Sequence, residues 1–336
     1  MSRWLACGLV AAGAAAWPPA VPAQEAASPT VTLSLEAVPV AYAAAQVAAQ
    51  AHVPVLVAEH VTGTVSLRLE QADVEGAVRQ VAEAVEGSWL RAYEVRPEGT
   101  DLPDYNAADL LGRLQEAWRD WLLRRSDDEL AAWREGAGDG GAPPGAAAAG
   151  GQTDAGTLRV DMVAALRGPF QAELASLELH DAPVPEALDA FTLATGCMVL
   201  TEGDLDGTVD LTLTDQPPDA ALDALCRPLR AQWTRLYVIG QPQELTPDEV
   251  EQRFAQMLER GAARFWQMPP EERQALIQRV VARLDNLPAD VRARISGSPW
   301  APRLMQHVMR YVAQLNLDQR REVAPLLQAF GRLVGQ

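Results

Sequence analysis

The stretch VTGTVSLRL (residues 61–69) returns later in the chain as LDGTVDLTL (residues 205–213). Both write Gly-Thr-Val-x-Leu-x-Leu. A glycine there suits a tight connection, because it tolerates positive φ. The alternation that follows puts Val, Leu and Leu on one face of a strand. The two glycines, Gly63 and Gly207, stand 144 residues apart. The same offset carries Pro39 onto Pro183, Leu67 onto Leu211, Trp89 onto Trp233, Arg91 onto Arg235 and Tyr93 onto Tyr237. Aligning residues 33–95 with 177–239 needs no gap and makes 16 of 63 positions identical. An uninterrupted match of this length marks a duplicated domain.

Each copy predicts the same succession of elements. A short alternating strand (LSLEAV, LELHDA) leads to a helix opened by Pro39 or Pro183. On that helix Val40, Ala44, Val47 and Ala51 share a face, as do Val184, Leu188, Phe191 and Thr195 in the second copy. A buried strand follows (VPVLVA, CMVLTE), then the Gly-Thr-Val strand. The next helix has a core stripe of Val78, Val81 and Val85, or Leu222, Leu225 and Leu229. A last strand, SWLRAYEV or QWTRLYVI, ends the copy. The expected fold class is α+β: two tandem β-α-β-β-α-β sandwich domains over residues 31–96 and 175–240, each followed by helices.

The second copy, LELHDAPVPEALDAFTLATGCMVLTEGDLDGTVDLTLTDQPPDAALDALCRPL, resembles the short N-terminal domain shared by secretins and TonB-dependent receptors. The first copy matches its strands but opens its helix with PVAYAAAQVAA, a weaker fit. In that family the domain precedes a membrane barrel or ring. Here no run of amphipathic strands of about ten residues follows, so neither a receptor nor a pore is expected. The resemblance implies a module that binds transport, secretion or signalling components of the bacterial envelope.

The N-terminus agrees with export. Arg3, the apolar WLACGLVAAGAAAW and the small residues Val21 and Ala23 fit a signal peptide over residues 1–23, cut before Gln24. An Ala-rich start with no targeting role stays open. A periplasmic location without a transmembrane span is therefore expected. The net charge of −17 leaves no concentrated basic face, which argues against nucleic acid. All 28 cations are arginine, the side chain that forks onto carboxylates.

Outside the copies, residues 105–135 read as a short helical segment, and residues 136–157 as a flexible Gly/Ala/Pro linker that leaves the halves to move separately. Residues 246–336 read as a bundle of about five helices. Starts are expected at LTPDEV, MPPEER, LPADVR and LNLDQR, where a polar or proline residue precedes acids. LTPDEV and LNLDQR also faintly resemble the paired Leu-Thr-x-x-Gln motifs of small periplasmic stress chaperones. That keeps a second reading, a chaperone or stress sensor acting through this bundle.

The motif Trp-x-Arg-x-Tyr occurs twice, as Trp89, Arg91, Tyr93 and as Trp233, Arg235, Tyr237. Period two puts each trio on one strand face. As a functional site it would be an aromatic–arginine ledge docking a partner peptide by β-strand addition. As a structural one, Trp plugs the core while Arg and Tyr cover its rim. Cys197 and Cys226 replace the apolar Val53 and Ala82 of the first copy, so both thiols should face one core. They form a candidate disulfide or stay as two small apolar groups. His52, His60, His180 and His307 have no ligand-like spacing, and the copies share no histidine, so no metal site is expected. No phosphate loop or nucleophile elbow occurs, and no duplicated acidic pair stands out as a dyad. The expectation is a non-enzymatic protein with no cofactor.

Overall fold

The computed structural model describes residues 29–125, 129, 158–167, 171–287, 289–297 and 301–334. The expected signal peptide, the expected linker and most of residues 126–135 lie outside them. The chain runs β1 (Thr30–Pro39), α1 (Val40–Ala51), β2 (Val55–Val57), β3 (Thr64–Asp73), α2 (Val74–Glu83), β4 (Ser88–Pro97) and α3 (Ala107–Arg124). Next come β5 (Leu158–Val160), α4 (Met162–Leu166), β6 (Ala175–Pro183), α5 (Val184–Thr195), β7 (Met198–Thr201), β8 (Thr208–Gln216), α6 (Pro218–Cys226), β9 (Ala231–Gly240) and β10 (Gln243–Leu245). The tail is helical: α7 (Pro247–Gln267), α8 (Pro270–Asp285), α9 (Ala289–Ser296), α10 (Ala301–Gln314) and α11 (Leu317–Val334). The structure is thus mixed α and β, with several small sheets and a C-terminal helical region.

The two sets β1–β4 and β6–β9 carry the same irregularities at the same offset. β1 pairs with β3 and β6 with β8, both antiparallel, with matching register: Leu33↔Leu69 and Leu177↔Leu213. Each ladder has two register shifts, and the residues at them take left-handed φ: Ala37 and Gln71 in one copy, Asp181 and Asp215 in the other. A side chain on the facing strand captures the N–H that each bulge frees. The N–H of Ala37 donates to Ser66 Oγ and that of Asp181 to Asp210 Oδ1, both at 2.8 Å. Likewise Gln71 donates to Thr32 and Asp215 to Ser176. Ser66 and Asp210 differ in type but both offer the acceptor that a bulge needs. Gly63 and Gly207 have φ of 125° and 122°, the conformation that excludes a β-carbon at both turns.

The closing strands differ from expectation. β4 and β9 do not complete separate sandwiches; they pair with each other, antiparallel, over ten residues from Ser88↔Gly240 to Pro97↔Ala231. β2 then adds to β9, and β7 to β4, both parallel, so the order is β2-β9-β4-β7. The sheet has an approximate two-fold axis at Ala92↔Leu236, and each β2-type strand lies beside the last strand of the other copy. At one end the strands meet closely. A β-carbon on Gly87 would run into the Gly240 carbonyl, and one on Gly240 into Val163.

This exchange makes the cores joint property. One core holds α1, α2 and the β1–β3 face, and is completed by Trp89 of β4 with Tyr237 and Ile239 of β9. The second holds α5, α6 and the β6–β8 face, and takes Tyr93 and Val95 from β4. Each long strand therefore spends half its length in each core. The opposite sheet face carries Leu90, Ala92, Leu236 and Val238, and is covered by Leu110, Leu114, Trp118 and Trp121 of α3 with Val163 and Leu166 of α4. A strand covered on both faces needs apolar residues on both, which β4 and β9 supply. Halves that share a ten-residue ladder and both cores do not move separately, which corrects that expectation.

In the tail, Thr246 caps α7 in a reciprocal box with Glu249, as the start LTPDEV predicted. The other three predicted starts also open helices, and α10 adds one that the motif reading missed. α7 buries no residue fully, whereas α8 packs along α11 around Ile277.

Candidate functional site

The two Trp-x-Arg-x-Tyr motifs come together at the sheet's two-fold axis. Register places Arg91 opposite Tyr237 and Tyr93 opposite Arg235. Tyr93 and Tyr237 are fully buried and Trp89 nearly so, while Trp233 is half-buried. The Arg91 and Arg235 side chains are 11% and 21% exposed, so no open aromatic ledge exists here. The motif closes two cores and fills the seam between them, and the docking reading of these six residues is corrected accordingly. A period of two puts the three side chains on one face but carries no sign that a second strand covers them.

The seam is polar at its centre. Arg91 Nη1 donates to Glu75 Oε2 at 2.9 Å, and Arg235 forms an ion pair with Asp219. Glu75 and Asp219 stand 144 residues apart near the starts of α2 and α6, so the duplicated arginine has a duplicated acid. That pair answers to the shared-acid pattern that the sequence reading did not pick out, and the offset alone would have found it. Tyr93 Oη donates to Asp219 Oδ1 at 2.8 Å, and Arg235 Nη1 to Tyr237 Oη at 3.3 Å. Burial by itself disfavours the Arg91 charge, but Cys197, Tyr93 and Glu75 outweigh it and raise its pKa. Each of these carboxylates already holds a cation. The arrangement is chemically a paired ion network, in which the Tyr93–Asp219 bond crosses from one copy to the other.

Both cysteines lie in the second core as expected, and they are free thiols, not joined to each other in this structure. Cys197 immediately precedes β7 and faces Arg91, whose Nε lies 3.4 Å from Sγ. Cys226 ends α6, and burial followed by Asp223 pushes its thiol up to about 12. The apolar partners Val53 and Ala82 in the other copy fit a packing role for both thiols.

A second polar cluster lies on the other sheet face, where the sequence reading marked nothing. Glu94 is fully buried on β4. It accepts hydrogen bonds from Tyr105 Oη at 2.5 Å and Arg113 Nη2 at 2.8 Å, with Arg96 Nη1 3.9 Å away. Arg113 also reaches Glu202 at 2.9 Å, and Arg96 donates to Thr234 Oγ1 at 2.8 Å. The counterpart of Glu94 is Val238, so this anchor belongs to α3 and is not part of the repeat.

Burial pushes the Tyr93 and Tyr237 hydroxyls above the ordinary phenol range, against the pull of Arg91 and Arg235 respectively. Tyr105 is raised by burial and then by its bond to Glu94. A raised folded-state pKa contributes stability that is complete below the unfolded value, about 10 for tyrosine, and is lost as pH rises through the folded value. Alkaline titration is therefore expected to show these three of the five tyrosines ionising together with loss of near-ultraviolet dichroism. A reversible phenolate signal from all five in a still-folded chain would contradict this placement.

Among the described residues, the outer edges of β2 and β7 pair with no further strand. In a parallel ladder alternate residues turn both N–H and C=O to the same side. Ala58 N donates to Ile239 O and Pro54 O accepts from Tyr237, so Val55 and Val57 turn their groups outward. Glu202 N donates to Val95 O, so Val199 and Thr201 do the same on β7. Along β2 runs a groove of about 320 Å3 between α1 and Tyr105. Along β7 runs a larger one of about 490 Å3, walled by α3 and α5. A third, of about 480 Å3, lies between α8 and α11 beside Ile277, Val281 and Pro325.

The histidines are scattered: His60 bonds Gln241 O, His180 lies near Glu178, His307 near Glu251, and His52 ends α1. Among the described residues no group of three or more His, Cys, Asp or Glu could hold a metal ion. Among them also, no helix is long and apolar enough to cross a membrane. Comparison with family models, with curated proteins and with solved structures finds no match.

Proposed function

We propose that this protein is a non-enzymatic binding module of the bacterial cell envelope, exported to the periplasm, in which two short secretin/TonB-type units take up a transport, secretion or signalling partner. Support for the two units comes from the gapless repeat and from β-α-β-β-α-β sets that share register, bulges and turn glycines at one offset. Support for binding comes from one observation above the rest: both edges of the central sheet present outward main-chain groups beside a groove. An extended partner segment added to such an edge gains main-chain hydrogen bonds, and its side chains fill the groove. A second reading, a periplasmic chaperone or stress sensor, draws support from the α8–α11 groove and from the exposed Met257, Met309 and Leu317.

Photoreactive residues placed singly at Val57, Thr201 and Leu317 of the full chain, in living cells, separate these readings. The binding-module reading expects mature chains in the envelope fraction and one discrete adduct from Val57 or Thr201. Many heterogeneous adducts from Leu317 alone would favour the chaperone. A chain recovered in the cytosol with residues 1–23 intact would remove both.

A further inference from the structure

We infer that the β7 groove is the docking site for an extended, basic segment of a partner protein, which adds to the sheet as a fifth strand. This inference rests on the binding-module reading and names its site and its ligand chemistry.

The groove is built for a strand. Its floor is the outer edge of Met198–Thr201, which pairs with no strand among the described residues and where Val199 and Thr201 together offer two donors and two acceptors. Those four groups would carry the main-chain ladder. Its walls are the α3 face around Ala117 and the α5 face around Val184 and Leu188. Alternate side chains of an added strand point to the two sheet faces, and so one set would meet α3 and the other α5. The ion pairs of Arg124 and Arg125 with Asp189 hold α3 against α5.

Charge selects the occupant. Five acids and three arginines line the groove: Glu116, Asp120, Asp189, Asp204 and Asp206 against Arg113, Arg124 and Arg264. All three arginines are already engaged, with Glu94 and Glu202, with Asp189, and with Asp120. Glu116, Asp204 and Asp206 are exposed, and among the described residues none of them makes an ion pair. The surplus is therefore negative, on a chain whose net charge is −17. An arginine- or lysine-bearing strand gains attraction where an acidic one meets repulsion. The β2 groove differs: its lining holds Glu59 alone among charged residues and its volume is smaller, so the two edges of the sheet are not equivalent.

The test uses the full chain and a labelled, end-blocked Val-Arg-Val-Arg-Val peptide, followed by fluorescence anisotropy. Its Glu-for-Arg counterpart and two versions N-methylated at alternate amides are the controls. The inference expects saturable binding of the arginine peptide, no binding of the glutamate peptide, and loss in one N-methylated register but not the other. The triple variant Glu116→Gln, Asp204→Asn, Asp206→Asn should weaken binding about tenfold, whereas Glu36→Gln, Glu83→Gln, Glu86→Gln, equal in charge change, should leave it nearly unaltered. Equal weakening by both triples means diffuse attraction to an acidic chain and overturns the site. Indifference to N-methylation in both registers overturns strand addition. If the peptide fails while Val57 still gives a discrete envelope adduct, the binding-module reading stands and the β7 site is wrong.

Discussion

Replacing Glu94 by alanine is expected to destabilise the protein by about 3–5 kcal/mol, the range for breaking a buried ion pair from one side. The cost comes less from the bonds lost than from what they leave behind. Arg96 is itself buried, at 5% exposure, and would keep only its bonds to Thr234 and the Thr100 carbonyl. The Tyr105 hydroxyl would lose its acceptor. Arg113 is partly exposed and retains Glu202, so it should contribute the smaller part. Glu94→Gln keeps the volume and an acceptor for Tyr105 and should fall between the wild type and alanine. Urea midpoints of the three proteins measure the order. A shift below about 1 kcal/mol for alanine would mean that the carboxylate does not anchor α3 to the sheet.

Replacing Trp89 by alanine is expected to cost a similar amount, about 3–5 kcal/mol, because it leaves a large cavity in one core. The indole is 3% exposed and packs against Tyr237, with ring centroids 6.2 Å apart. The Arg167 guanidinium lies over it at 4.6 Å, so a cation–π contact is lost as well. Trp233 holds the same place in the repeat but a different one in energy. It is half-buried and donates its Nε1 to Asp223 at 2.6 Å. Trp233→Ala should therefore cost distinctly less. Because each core borrows a strand from the other copy, the Trp89 variant should lower stability in both halves at once, seen as one shifted transition. Two separate transitions, or equal losses at the two tryptophans, would count against shared cores.

What the chain wrote in local terms was legible before any coordinates. The 144-residue offset, the periodicity of α1, α5 and their neighbours, the capping signal at Thr246 and the inward placement of both cysteines follow from short-range rules: side-chain period, turn stereochemistry and cap chemistry. The same rules placed Trp89, Arg91 and Tyr93 on one strand face. They had no means of saying what would cover that face. β4 and β9 carry the same pattern, so either could have paired with its own β2-type strand or with that of the other copy. The choice rests on register and packing between residues far apart in sequence. One trace of it was readable: Leu90 and Ala92, like Leu236 and Val238, make these strands apolar on their second face too, which a half-exposed closing strand does not require. Tertiary structure also decided the candidate site. Among the described residues β7 ends the order β2-β9-β4-β7, which leaves its outer edge without a strand, and α3 becomes a wall of the groove because Glu94, an interruption of the repeat, holds its start to the sheet. Main-chain groups at an edge have no signature in side-chain sequence, since every residue carries them; only the topology determines which ones are left without a partner.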